Sequence, residues 1–238
     1  EGALQTGEMV ALVNYLNQIL VELVKLANLI ITMTKSMASA ARVENVLKLE
    51  PTMKDPATPV LPAPDCRESV SFDRVFTRYP EAGADSLTDV SFTALKGQTI
   101  GVIGGTGSGK STLIQLMPRF YDVSSGSVRV DGVDVRQQSM ASLRQRIAVV
   151  PQKAALFQGT IRENLLWGDQ SATDEELWQA LETAQAAEVV RGKALGLDEM
   201  LEQNGRNLSG GQKQRLTIAR ALVRKPEILI LDDSASAL

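Results

Sequence analysis

The sequence predicts an α/β domain that follows one long helix and a proline-rich connector. Residues 9–49 contain neither proline nor glycine, so they favour a single helix. Five of the nine prolines fall within residues 51–64, which marks an extended connector. Beyond it, short apolar or β-branched runs alternate with helical stretches, as in sheets that are covered by helices. We therefore expect three parts, at residues 1–50, 51–68 and 69–238.

The long helix has a mixed character. Residues 9–35 are long enough to span a bilayer, for which about 20 residues suffice. One side is apolar, but the other carries a polar stripe that is too rich for a single helix surrounded by lipid. A helix that lines a water-filled cavity inside a membrane bundle fits this pattern, and so does a soluble amphipathic or coiled-coil helix. The stripe consists of Asn14, Asn17, Gln18, Glu22, Lys25, Asn28, Thr32 and Lys35.

The elements after the connector follow from their apolar patterns. The predicted strands are residues 69–76, 99–103, 127–130, 147–150 and 228–231. The last of them is apolar without alternation, as expected of a central strand that is covered on both faces. Residues 174–188 predict an amphipathic helix, with Thr173 as N-cap and Glu176 completing a capping box.

Composition excludes several kinds of chemistry. The chain has 238 residues, 44% of them hydrophobic, so it can bury a sizeable core. It has no histidine, which excludes a Ser–His or Cys–His nucleophile pair and a His-ligated metal site. The lone Cys66 excludes an intramolecular disulfide framework. With 25 basic and 28 acidic residues the formal net charge is −3, so we expect no nucleic-acid partner.

A phosphate-binding loop follows the predicted strand at residues 99–103. The run Gly104-Gly105-Thr106-Gly107-Ser108-Gly109-Lys110-Ser111 matches the pattern G-x-x-x-x-G-K-S, and Thr112 opens a helix. Glycines permit the backbone angles that turn successive N–H groups toward an anion, and the helix N-terminus adds partial positive charge. Lys110 supplies a charge for the β- and γ-phosphates, and Ser111 can ligate Mg²⁺. The loop predicts a site for ATP with Mg²⁺.

An acidic pair supplies the second half of this site. Asp232 and Asp233 directly follow the strand at residues 228–231. Ligands bind beyond the carboxyl ends of strands in open parallel sheets, so Asp232 can hold the Mg²⁺ shell. Asp233 can orient or deprotonate a water molecule. An acidic turn after a buried strand is common in proteins and alone is a weak signal for a metal site. Together with the phosphate-binding loop it becomes a strong one.

A third motif carries a family resemblance. Leu208-Ser209-Gly210-Gly211-Gln212 lies at the start of a helix, where residues 209–211 can form another anion-binding N-terminus. With the preceding motifs, the chain resembles the ATP-binding-cassette (ABC) superfamily, whose signature is LSGGQ. The resemblance implies a P-loop NTPase fold with a RecA-like core and a helical subdomain at about residues 153–222. It also implies that two cassettes dimerise head to tail, so that each signature closes over the P-loop of the partner.

Further segments resemble exporters within that family. Gln152 matches the Q-loop glutamine, which joins the Mg²⁺ and water environment to the membrane domain. Tyr79 lies where the family places an aromatic residue that stacks on adenine, with Phe76 as a nearby alternative. Residues 156–164 resemble the exporter segment after the Q-loop, and residues 38–47 resemble the end of an exporter membrane domain.

The exporter resemblance implies roles for particular residues. Asp233, Gln152 and Lys110 would be catalytic, and Ser111, Gln152 and Asp232 would hold Mg²⁺. The residues implied to bind the nucleotide are Tyr79, Gly104, Gly105, Thr106, Gly107, Ser108, Gly109, Lys110, Ser111, Thr112, Ser209, Gly210, Gly211 and Gln212.

The expected whole protein is a half-transporter, similar to multidrug or lipid exporters. Residues 9–35 would be the last of its transmembrane helices, in a multi-pass protein of the cell membrane with its nucleotide-binding domain on the cytoplasmic side. Residues 69–238 would be that domain, truncated before its end. The chain lacks an initiator methionine and stops soon after the run at residues 228–231, so we expect a fragment that does not hydrolyse ATP efficiently by itself.

One residue departs from the family pattern. Typical cassettes place Glu directly after the Walker B aspartate, whereas this chain has Asp233. The missing methylene withdraws the carboxylate by about 1.5 Å, and a misplacement of ~1 Å can cost about 100-fold in rate. We therefore expect a slow site within an asymmetric heterodimer, in which the intact signature completes the site of the partner. The alternatives are a regulatory, weakly hydrolysing subunit and a soluble ABC ATPase.

Overall fold

The computed structural model describes residues 6–51, 53–62, 65–80 and 82–233, in two units that divide after residue 52. The first unit is helix α1 (Thr6–Leu47), in which no residue is buried. Its polar side chains find partners along the helix, since Lys25 pairs with Glu22 at 2.8 Å and Thr32 Oγ1 donates to the carbonyl of Asn28 at 2.8 Å. The helix predicted from residue 9 onward is confirmed, and α1 is long and apolar enough to cross a membrane.

The second unit begins with an antiparallel sheet. Its strands are β1 (Glu68–Thr77), β2 (Leu87–Leu95), β3 (Ser125–Val130) and β4 (Val133–Asp134), in the order β2-β1-β3-β4. Alternate residues of β1 point into a core that also contains buried residues of β3 and of the following helices. The sequence predicted β1 and β3 but not β2, so the antiparallel sheet was missing from the prediction.

One short helix lies between strands β2 and β3 in the chain, and a second short helix and a further strand follow β4. Helix α2 (Lys110–Leu116) follows the glycine-rich loop, and helix α3 (Met140–Arg146) leads directly into strand β5 (Ile147–Val150). Ser139 caps α3, because its side chain accepts a hydrogen bond from the backbone N–H of Ser142 at 3.3 Å. The prediction of β5 is confirmed to the residue.

A mainly helical region follows β5. Its elements are β6 (Gly159–Thr160), α4 (Ile161–Leu166), α5 (Asp174–Thr183), α6 (Ala187–Arg191), β7 (Met200–Leu201) and α7 (Gly210–Val223). Single 3₁₀ turns lie at Val135–Gln137, Gly196–Asp198 and Gln203–Gly205. The region has its own apolar core, built from residues such as Leu165, Leu181 and Leu216.

The helix predicted at residues 174–188 is divided in the structure. The capping box is confirmed, because Thr173 accepts from the N–H of Glu176 while the Glu176 side chain accepts from the N–H of Thr173. Helix α5 then stops at Thr183, since Gln185 adopts a φ of 54°, which no helix continues through. Helix α6 covers the remainder.

The last strand is β8 (Ile228–Leu231), which the apolar run predicted, and it pairs with β5 in parallel. Two expectations about this sheet differ from the structure. Residues 99–103 form no strand, because no neighbour in the described part of the chain pairs with them, and Ile103 is 97% exposed. Strand β8 is covered on one face only, since Ile230 is buried while Leu229 and Leu231 are exposed.

Candidate nucleotide-binding site

The glycine-rich loop turns sharply into helix α2. Gly109 has a φ of 87° and directly precedes the first helical residue, and Leu113 N–H donates to its carbonyl at 2.9 Å. A Cβ at this position would lie 2.7 Å from both Leu87 Cδ2 and the carbonyl oxygen of Ser86. Only glycine fits this turn, because both the backbone angle and the close approach of β2 exclude a side chain.

Lys110 lies back over the loop that precedes it. Its Nζ donates to the carbonyl of Gly104 at 2.7 Å and to that of Gly105 at 2.8 Å. The loop residues 104–108 are exposed, so an anion can reach their backbone N–H groups from solvent. The ammonium is therefore placed beside the loop, where a phosphate oxygen can replace a carbonyl as its acceptor.

Two carboxylates and their partners gather at the carboxyl ends of β5 and β8. Ser111 Oγ lies 3.3 Å from Asp232 Oδ2 and 3.5 Å from Oδ1, although the two residues are 121 positions apart. The N–H of Asp232 donates to the carbonyl of Val150 at 3.0 Å and so extends the parallel pairing. A hydroxyl and a carboxylate are the oxygen ligands that Mg²⁺ prefers, so these side chains fit that ion.

Gln152 and Asp233 meet at the same edge. Gln152 follows β5, Asp233 follows β8, and Gln152 Nε2 donates to Asp233 Oδ2 at 3.2 Å. Both side chains are exposed, so they can interact with a solvent molecule or with a bound group. The structure thus brings together Gln152, Asp232, Asp233 and Ser111, which the sequence places in three separate motifs.

Tyr79 is anchored against helix α2. Its hydroxyl donates toward Gln115 Oε1 at 3.2 Å and lies 3.1 Å from Thr112 Oγ1, and its ring meets the edge of Tyr121 at a centroid distance of 4.9 Å. The alternative residue, Phe76, instead lies within β1 opposite Ser125. The sequence analysis did not identify Gln115 as a partner of Tyr79. Its only indication in the sequence is that it lies three residues after Thr112, on the same face of the helix.

The signature motif forms the capped N-terminus of α7. Ser209 Oγ accepts from the N–H of Gln212 at 3.3 Å, and Gln212 Oε1 accepts from the N–H of Ser209 at 3.0 Å. Ser209 and Gly210 are exposed. No hydrogen bond within residues 82–233 joins this motif to the loop at residues 104–111. The structure therefore does not bring the signature into the site formed by the other motifs.

Comparison with known proteins agrees with this geometry. Residues 87–236 match the family described as ABC transporter. The chain is 43% identical over 237 residues to YfiB, an uncharacterized ABC transporter ATP-binding protein of Bacillus subtilis, covering all of this chain and 41% of YfiB. It is 42% identical over 236 residues to YheI, a probable multidrug resistance ABC transporter ATP-binding/permease protein of the same organism, covering 98% of this chain and 40% of YheI.

A solved structure shows the same fold. The chain aligns with a bacterial Atm1-family ABC exporter with ATP bound, with a TM-score of 0.80 and 33% identity, over all of this chain and 41% of that one. The chain thus spans about two fifths of the length of the proteins it matches. The family match covers the loop and the acidic pair, from which the site is built, and also the signature. The chain therefore belongs to the ABC transporter family, whose nucleotide-binding domains bind ATP.

Proposed function

We propose that this chain is the ATP-binding part of an ABC exporter that couples ATP binding and hydrolysis to the export of a small or amphiphilic substrate. The observation that carries the proposal is the approach of Ser111 Oγ to Asp232 Oδ2 at 3.3 Å, beside the loop that holds Lys110. A charged loop without an acidic partner would only bind an anion. The carboxylate adds a place for Mg²⁺, which neutralises charge on the transferred phosphoryl group.

Each side chain then has a distinct task. Lys110 contacts the β- and γ-phosphates, and the backbone N–H groups of residues 104–112 surround the phosphate chain. Ser111, Asp232 and Gln152 would hold Mg²⁺. Asp233 would orient the attacking water or accept its proton, and Tyr79 would stack on adenine.

The signature completes a site on a second cassette. Residues 209–212 form a capped helix N-terminus with Ser209 and Gly210 exposed, which suits an anion, yet they lie outside the site of their own chain. A head-to-tail dimer gives this end of α7 a phosphate to bind. Because Asp233 is one methylene shorter than the family's usual Glu, we propose that the dimer is asymmetric, with a slow site here and a faster site completed by this chain's signature.

The N-terminal part fits a membrane protein. We propose that α1, over about residues 9–35, is the last transmembrane helix of a multi-pass protein, and that its polar stripe faces the translocation path. Residues 51–68 would then link it to the nucleotide-binding domain at residues 69–238, which lies on the cytoplasmic side. Residues 153–222 would form the helical subdomain. The name of the relative YheI, an ATP-binding/permease protein, supports this arrangement.

Titration with a fluorescent ATP analogue tests the core of the proposal. In the full-length protein, Asp232→Asn should abolish the gain in affinity that Mg²⁺ gives to the unmodified protein. Asp73→Asn, at an exposed position of β1, is the matched control and should retain that gain. An equal response to Mg²⁺ in the unmodified protein and in Asp232→Asn would exclude Asp232 from the metal site.

A further inference from the structure

The hydroxyl of Tyr79 is held by two side chains on one face of helix α2. Thr112 and Gln115 are three residues apart, so both point to the same side of that helix. Tyr79 Oη lies 3.1 Å from Thr112 Oγ1 and 3.2 Å from Gln115 Oε1. A phenol has one hydrogen to donate, and a carboxamide oxygen can only accept. Tyr79 therefore donates to Gln115 and accepts from the hydroxyl of Thr112.

Gln115 also fixes the aromatic neighbour of Tyr79. Its backbone carbonyl accepts from the N–H of Phe120 at 2.9 Å, and Tyr121 follows directly in the chain. The rings of Tyr79 and Tyr121 are perpendicular, with an interplanar angle of 88° and a centroid distance of 4.9 Å. The ring of Tyr79 is therefore restrained at its hydroxyl by the side chain of Gln115, and beside Tyr121 by a turn that the backbone of Gln115 holds.

The main chain around Tyr79 is restrained by other residues. The N–H of Arg78 donates to Ser124 Oγ at 3.0 Å, and Arg78 Nε pairs with Asp85 at 2.7 Å. The carbonyl of Tyr79 accepts from the N–H of Ala82 at 3.1 Å. These contacts fix the backbone but not the side-chain torsions. The direction of the ring therefore depends on the hydrogen bonds at its hydroxyl, and a change at that end leaves the loop anchored.

The anchoring helix is the one that begins at Lys110. Tyr79 and Gln115 are both partly exposed, so without its polar partner the ring could adopt several rotamers. With that partner, the ring is fixed relative to the helix whose first residue contacts the phosphate chain in the proposed function. Helix α2 thus sets the separation between the aromatic ring and the phosphate-binding loop.

We propose that Gln115 is a positioning residue, which orients the ring of Tyr79 for stacking on the base before a nucleotide binds. This inference rests on the proposed function, because it requires that Tyr79 stacks on adenine. Ordering a mobile side chain on binding costs affinity, and a ring that is already ordered avoids this cost. Gln115 therefore strengthens binding through the base, and it leaves binding of the phosphate chain unchanged.

Competition against a fluorescent ATP analogue in the full-length protein tests the proposal. The competitors are the non-hydrolysable ATP analogue AMP-PNP and inorganic tripolyphosphate, which lacks the base. Gln115→Met keeps the length of the side chain but removes the acceptor, and Tyr79→Phe keeps the ring but removes the donor. Each should weaken AMP-PNP binding about 3- to 10-fold and leave tripolyphosphate binding unchanged, because the cost of ordering the ring affects only the base. Gln115→Glu, which keeps an acceptor, should retain most of the affinity.

A double variant and a matched control complete the test. Tyr79→Phe combined with Gln115→Met should bind AMP-PNP as weakly as the weaker single variant and no more weakly, because both changes remove the same hydrogen bond. Gln179→Met, at an exposed position of α5, should bind both competitors as the unmodified protein does.

Three results would overturn the role of Gln115. They are an unchanged AMP-PNP affinity in Gln115→Met, an equal loss for both competitors, and additive losses in the double variant. A different result concerns the proposed function itself. If the unmodified protein binds AMP-PNP no more tightly than tripolyphosphate, Tyr79 does not stack on the base, and the role of Gln115 fails with it.

Discussion

Exchanging Asp233 for Glu should accelerate ATP hydrolysis at this chain's own site. Asp233 Oδ2 lies 3.2 Å from Gln152 Nε2, at the exposed edge where β5 and β8 end. The added methylene advances the carboxylate by about 1.5 Å. Since ~1 Å of misplacement can cost about 100-fold in rate, we expect kcat to rise by about 10- to 100-fold. The affinity for ATP should change little, because the loop at residues 104–111 is not altered.

The assay is the steady-state release of phosphate by the full-length protein in lipid nanodiscs. Asp233→Asn is the matched control, since it removes the negative charge while keeping the size of the side chain, and it should hydrolyse more slowly than the unmodified protein. A kcat that stays the same or falls in Asp233→Glu, with unchanged ATP affinity, would refute the reasoning that the length of this side chain limits the rate.

The remaining predictions concern the loop and the signature. Lys110→Ala should weaken the binding of a fluorescent ATP analogue by about 10- to 100-fold, because a charged hydrogen bond to phosphate is lost; equal affinity would contradict this role. Gly109→Ala should lower the free energy of unfolding by about 1–3 kcal/mol through a strained backbone, whereas Gly105→Ala, where a Cβ meets nothing within 4 Å, should change it by less than about 0.5 kcal/mol. Ser209→Ala should cost about 1 kcal/mol of stability as a lost cap and also slow ATP turnover by the dimer. Thr173→Ala, which removes the cap of another helix, should lower stability by a similar amount without affecting ATP turnover. If Ser209→Ala and Thr173→Ala slowed turnover equally, the signature would have no specific role in hydrolysis.

The sequence predicted those strands whose pattern is unambiguous. The apolar runs at residues 147–150 and 228–231 predict β5 and β8, and the structure pairs these two strands in parallel. Strand β2 was missed because its burial does not alternate cleanly, and Asp89 within it has a φ of 52°. Residues 99–103 have the composition of a strand, but a strand also requires a hydrogen-bonded neighbour, which composition does not reveal.

The site was more predictable than the fold around it. The loop at residues 104–111 is a local motif, since its glycines, Lys110 and Ser111 act through the backbone of one short segment. The approach of Gln152 to Asp233 required the carboxyl ends of the parallel strands β5 and β8 to meet, and this rule is general for such sheets. The hydrogen bonds between the Asn164 side chain and the backbone of Phe157 have no local signal, because they depend on how the loop packs against the helix.

The most direct test of the account compares ATP turnover by the full-length chain alone with turnover by the chain assembled with a partner that carries Glu at the position of Asp233. We predict slow turnover by the chain alone and turnover at least about tenfold faster in the assembly. That gain should be lost when Glu of the partner is changed to Gln. Equally fast turnover by the unmodified chain alone would contradict the proposed slow site and the asymmetric dimer.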